Sequence, residues 1–130
     1  MIYLDTSALV KLLFDEPESE ALTDWLTQNA DKPKVSSDLS TVELLRTCQR
    51  IDRSIVDGAR RLLDGVDLVP VDHMIVEQAA ILAPPELRSL DAIHLASALS
   101  LIEDLTAFLA YDIRLCLAAE QAGLPVVSPT

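Results

Sequence analysis

Little in this sequence offers a covalent or metal staple. Its two cysteines, Cys48 and Cys116, lie far apart, with neither CxxC nor Cys–His spacing. That excludes a disulfide-framed secreted scaffold and a structural zinc site. It leaves two buried free thiols, as expected in a reducing, cytoplasmic setting. Three glycines and five aromatic residues exclude collagen-like and prion-like classes. No window reaches the ~18 apolar residues of a membrane span. The longest apolar-rich stretch, 90–105, is interrupted by Asp91, His94, Ser97, Ser100, Glu103 and Asp104. The opening MIYLD has no basic region ahead of its apolar residues, unlike a secretory signal. Basic residues are scarce as well: 10 Lys+Arg stand against 21 Asp+Glu, for a net charge of −11. Such a surplus argues against holding nucleic acid by bulk charge attraction. What the chain has in plenty is apolar residues. Half of its 130 residues are hydrophobic, which excludes a disordered acidic tail. The length suits one domain, residues 1–130, able to bury a core unaided.

Strand and helix signals alternate. MIYLD is a short apolar run ending at an acid, as a buried parallel strand does. Thr6 or Ser7 can cap a helix to about Phe14, and Pro17 with its flanking acids opens another to about Asn29. Residues 34–37 form a second strand. A cap at Ser37, Asp38 or Ser40 starts a helix with Val42, Leu44, Leu45 and Cys48. A further helix spans about 54–63 and ends at Gly65. The spacing predicts a third strand over 67–71. A helix capped by Asp72 carries Ile75, Val76, Ala79 and Leu82, and Pro84-Pro85 stops it. Ser89 begins an apolar helix, 107–111 is a fourth strand, a helix follows to Gly123, and 125–128 is a fifth strand. Alternation of this kind means an α/β fold with a mostly parallel sheet, whose ligands bind beyond the carboxyl ends of the strands.

Most of the acids fall on helix surfaces or caps. Four do not. Asp5 and Asp112 follow apolar strands, Asp91 lies in the first turn of an apolar helix, and Glu43 sits among Val42, Leu44 and Leu45. Each taken singly also reads as a cap, a first-turn acid or a surface residue. Two carboxylates ~4 Å apart repel by about 4 kcal/mol at an effective dielectric of 20, so a converging set needs cations or shared protons. Oxygen ligands without Cys or paired His select Mg²⁺ or Mn²⁺ over zinc. Carboxylate-held metal with open water positions suits phosphodiester cleavage.

Longer motifs add a resemblance. MIYLDTSALVKL resembles the start of PIN-domain ribonucleases. RSLDAIHLASAL (88–99) resembles their second acidic motif, STVELLR (40–46) their central Glu helix, and LAYDIRLCLAAEQAGLPVVSP (109–129) their last strand–helix–strand. The match spans the chain in order. The size is similar to that of VapC-type toxins of bacterial toxin–antitoxin pairs. The resemblance implies a PIN-like three-layer α/β/α sandwich with about five mostly parallel strands. It implies a toxin acting as a Mg²⁺- or Mn²⁺-dependent endoribonuclease, homodimerisation, and inhibition by a cognate VapB-type antitoxin. It makes Asp5, Glu43, Asp91 and Asp112 the catalytic and metal-binding quartet, with Thr6 or Ser7 assisting. Many relatives have another acid two residues past the last motif Asp; here that place holds Arg114, which bears on a second metal site.

Other residues have two readings each. His94, three residues after Asp91, can stand behind the metal site, shuttle a proton, or simply be packed and hydrogen-bonded. Arg46, Arg50, Arg53, Arg60 and Arg61 give segment 46–61 a local charge of +3 beside Asp52 and Asp57. Arg46, Arg50 and Arg114 are candidates for gripping RNA phosphates, or lie on a solvated face or an antitoxin contact. Tyr3 and Tyr111 can stack a base or pack in the core. The apolar residues of the first two helices can line a groove for a partner or fill the core. Two alternatives to the nuclease are a PIN-like fold acting only by protein binding and a receiver-like acidic pocket. The receiver needs an acid pair after its first strand and a late Lys, and no Lys follows Lys34.

Overall fold

The computed structural model describes residues 1–130. Five short strands, β1 (Ile2–Leu4), β2 (Lys34–Ser37), β3 (Asp67–Val69), β4 (Ala107–Leu109) and β5 (Val126–Val127), form one sheet of order β3-β2-β1-β4-β5. Every pairing is parallel. The chain moves outward from β1 to β3, then crosses back to place β4 on the other side of β1. The order therefore reverses between β1 and β4, where an open parallel sheet leaves a crevice at its carboxyl ends. Receiver-like sheets run 2-1-3-4-5, so this topology sets that alternative aside.

Seven helices cover the sheet: α1 (Thr6–Leu13), α2 (Ser19–Gln28), α3 (Leu39–Ile51), α4 (Val56–Asp64), α5 (His73–Ala80), α6 (Ser89–Leu99) and α7 (Ile113–Gln121). Alternation along the strands divides the core in two. Ile2, Leu4, Ala107 and Leu109 face α1–α4, packing with Leu9, Leu22, Leu44 and Leu63. Tyr3, Val35 and Phe108 face the other way, against Leu95 of α6 and Leu115 of α7. The result is three layers. Leu12, Leu13 and Trp25 are half-buried against the first cluster, so the apolar faces of α1 and α2 are core and not a groove.

Several boundaries differ from the sequence expectation. Pro17 lies in a turn and α2 starts at Ser19, whose hydroxyl accepts from the Glu16 N–H. A 3₁₀ turn, Arg53–Ile55, precedes α4, and α5 ends at Ala80, leaving Leu82 outside it. β3 and β4 are two residues shorter than expected, since alternation continues into the extended connections after the ladder stops. Cys48 is buried, Cys116 only half-buried; neither is paired, and burial pushes both thiols up. No helix is long and apolar enough to cross a membrane.

Candidate metal centre

Asp5 leaves β1 and starts α1. Its Oδ2 accepts from the N–H (3.1 Å) and the hydroxyl (2.7 Å) of Ser7. Asp112 lies three residues past β4, beyond the expected strand end, and starts α7, its Oδ1 accepting from the Leu115 N–H at 3.0 Å. Both are N-caps, the simpler of the two readings. Both nonetheless flank the reversal point between β1 and β4. A cap uses one carboxylate oxygen and leaves the other. Ser7 ties the two sides together, because its hydroxyl also accepts from the Tyr111 N–H at 3.1 Å.

The helix acids show the same division of labour. Glu43 is half-buried on α3. Its Oε1 accepts from the Thr6 hydroxyl (2.8 Å) and meets His94 Nε2 at 2.6 Å, leaving Oε2 without a protein partner. Asp91, in the first turn of α6, meets Arg88 Nε through Oδ2 at 2.8 Å and keeps Oδ1 free. Glu43 Oε2 and Asp91 Oδ1 have no protein partner, while Asp5 Oδ1 faces only His94 at 3.6 Å and Asp112 Oδ2 only Arg88 at 3.5 Å.

A histidine and an arginine stand among them. His94 is 1% exposed; its Nε2 lies between Glu43 and Asp5 Oδ1 (3.6 Å), and its Nδ1 meets the Tyr3 hydroxyl at 2.8 Å. An ionised carboxylate only accepts, so Nε2 carries a proton. Burial opposes a charge on His94, but the Glu43 hydrogen bond and the charges of Asp5, Glu43 and Asp91 prevail and raise its pKa. Glu43 shows the converse: burial would raise its carboxyl, and His94, Thr6 and Arg88 hold it below its ordinary range. Asp91 is pushed up by burial, against the pull of Arg88, with Asp5 and Asp112 adding to the rise. Arg88 also reaches Asp112 Oδ2 through Nη2 at 3.5 Å.

As placed, no three acids are close enough to share one ion. The donor set nevertheless fits a hard divalent cation: every donor atom is a carboxylate oxygen, and the four acids outnumber Arg88 and His94. Asp5, Glu43, Asp91 and Asp112 are the residues that would hold it.

The other expected residues fall into place around this centre. Thr6 and Ser7 are held by hydrogen bonds to Glu43 and Asp5. Arg50 borders a depression with Ser7, Lys11, Tyr111 and Asp112, and Arg114 borders another with Arg88 and Asp112. Arg46 is exposed, one turn before Arg50 on α3. Tyr3 is fully buried, stacked on Phe108 (centroids 5.3 Å apart), so it supports His94 and cannot stack a base. Tyr111 is half-buried, its hydroxyl donating to the Pro129 carbonyl, with Lys11 Nζ 4.7 Å from its ring centroid. Arg88 escaped the sequence reading. The available signal was its place three residues before Asp91, where a helix sets the two side by side.

The PIN domain family model matches residues 2–121. Ribonuclease VapC47 of Mycobacterium tuberculosis is 43% identical over 132 residues, covering 99% of this chain and 97% of that protein. Ribonuclease VapC35 of the same species is 44% identical over 131 residues, with the same coverage. Among solved structures, M. tuberculosis VapC20, described as a sarcin-ricin loop cleaving toxin, has a TM-score of 0.74 at 22% identity over 99% of this chain and 100% of that one. A chain of a toxin–antitoxin complex from Klebsiella pneumoniae has a TM-score of 0.72 at 21% identity over 100% and 98%. The fold and the full-length identity agree: the chain belongs to the PIN-domain family, among its VapC ribonucleases.

Proposed function

We propose that this protein is the toxin of a type II toxin–antitoxin pair and an endoribonuclease dependent on Mg²⁺, with Mn²⁺ as a substitute. One observation carries the reading. In a chain 43–44% identical to proteins named Ribonuclease VapC, Asp5 and Asp112 flank the reversal point of the sheet, with Arg88 linking Asp112 to Asp91 and His94 linking Asp5 to Glu43. PIN-domain ribonucleases are in general divalent-metal-dependent. A divalent cation bound by Asp5, Glu43, Asp91 and Asp112 would supply an activated water and offset the charge that develops on the phosphodiester. The chain's own groups do the rest. Ser7 and Thr6 fix the carboxylates of Asp5 and Glu43. His94, locked by Tyr3, orients Glu43 from behind. Cleavage of total RNA, with cut sites mapped, tests the reading. Cutting with Mg²⁺ or Mn²⁺ and none with chelator is expected; cutting that ignores chelator would reject it, as would no cutting under any condition.

Arg50 and Arg114 border the depressions beside Asp112, and Arg46 extends the line along α3. Together they offer guanidinium groups to RNA phosphates. Replacing Arg46 and Arg50 by Ala should reduce the salt slope of RNA binding by about 2, one per lost phosphate contact. Measurement in an Asp5→Asn background avoids cleavage. An unchanged slope would remove the grip.

The protein acts in the cytoplasm with a VapB-type antitoxin as its inhibitor, and a basic arm suits its acidic site. It also pairs with a second copy. Ile81, exposed by 84%, and Leu117, by 53%, border two apolar depressions that share Pro84 and Leu87. Exposed apolar residues rimmed by polar ones, here Glu86, Arg114 and Gln121, mark an interaction site. Sedimentation should give twice the protomer mass, and Leu117→Asp should halve it. A wild-type mass of one protomer would exclude the dimer.

A further inference from the structure

Arg88 occupies an unfavourable place for a cation. It is the N-cap residue of α6, where the helix dipole repels positive charge, and it makes no side-chain capping hydrogen bond. Helix formation therefore does not explain it. Its guanidinium turns to the acids instead, with Nε 2.8 Å from Asp91 and Nη2 3.5 Å from Asp112. Asp91 lies in the first turn of α6 and Asp112 caps α7, so one side chain spans two elements. The charge of Arg88 also acts on Asp5 and Glu43, so it reaches all four acids. Yet its side chain is 67% exposed, and exposed ion pairs are weak because water screens them. The pairing is strong enough to populate and weak enough to break.

We propose that Arg88 is the resident counter-cation of the acid site, which a divalent cation must displace before Asp91 and Asp112 can hold it together. The guanidinium neutralises the two acids while the site lacks metal, then swings into solvent when metal enters. Metal affinity is thereby held below what the four acids alone would give. This rests on the metal reading above and assigns a separate residue to it.

The test is Mn²⁺ binding by calorimetry at pH 7.5 to wild type, Arg88→Met and Arg88→Lys, with thermal unfolding of each in chelator and in saturating Mn²⁺. Arg88→Met should bind Mn²⁺ about three- to tenfold more tightly, the scale of losing two exposed ion pairs. Arg88→Lys, which keeps charge without the fork, should fall between. In chelator Arg88→Met should melt below wild type, because its acids lack their counter-cation, and Mn²⁺ should close or reverse that gap. Equal or weaker Mn²⁺ binding by Arg88→Met would overturn the proposal and leave the nuclease standing. A lowered melting point with and without Mn²⁺ would mark Arg88 as merely structural and overturn it equally. Absence of Mn²⁺ binding in wild type and variants alike would overturn the metal reading and this proposal together.

Discussion

Metal-dependent RNA cleavage should fall at least about 10²-fold in Asp5→Asn, the scale of removing one electrostatic stabiliser from a reacting centre. The folded protein should keep its stability. Asn is as good an N-cap as Asp, and its side-chain oxygen can still accept from the Ser7 N–H and hydroxyl that Asp5 engages at 3.1 and 2.7 Å. The substitution removes a charge that lies 5% exposed among three other acids. What Asp5 loses in attraction to His94, 3.6 Å away, is offset by relief from Asp91, so unfolding in chelator should change little. Asp5→Ala separates the two roles, since it loses the cap as well and should cost about 1 kcal/mol. Normal cleavage by Asp5→Asn with Mg²⁺ would show that Asp5 is only a cap.

Phe108→Ala should have the largest effect on stability, about 3–5 kcal/mol, out of the 5–15 that a domain usually has. Phe108 is fully buried in the middle of β4, and its ring lies nearly parallel to that of Tyr3, at 13°. Its removal opens a void between the sheet and α6–α7 and withdraws the surface against which Tyr3 stacks. Tyr3 in turn holds His94 and His94 holds Glu43, so the loss runs along hydrogen bonds of 2.8 and 2.6 Å to the acid site. Denaturant unfolding reads the first effect. A cost below about 1 kcal/mol would mean that the cluster closes over the gap. Phe108→Leu, which retains most of the volume, should cost much less.

The fold was legible where local signals were strong. The apolar run before Asp5 and the cap at Asp72 each name an element from a few residues, whereas α5 ends at Ala80, ahead of the Pro84-Pro85 stop. The strand ends were less legible: 107–111 reads as strand, but pairing stops at Leu109 because β5 offers only two residues to extend it. Asp5 and Asp112 stood out in sequence by following apolar strands, and Glu43 and Asp91 by sitting among apolar residues of helices. That Asp5 and Asp112 cap helices while facing one crevice was not legible, because a cap and a site look alike in sequence and differ only in the oxygen left over. Tyr3 and Arg88 were harder still. Their partners, His94 and Asp112, are chosen by the tertiary arrangement; nothing local to Tyr3 points 91 residues ahead.

The pairing of β1 with β4 sets a schedule for synthesis. The first acid is made fifth and the last 112th, and Ser7 joins the Tyr111 N–H across 104 residues. Such long-range closure is slow compared with helix formation and comes late in folding. A ribosome must therefore release β4 and the start of α7 before the four carboxylates can face one another. Until then the emerging chain carries three of the acids without the strand that gathers them. The site is thus completed only when all but the last 18 or so of the 130 residues have been made.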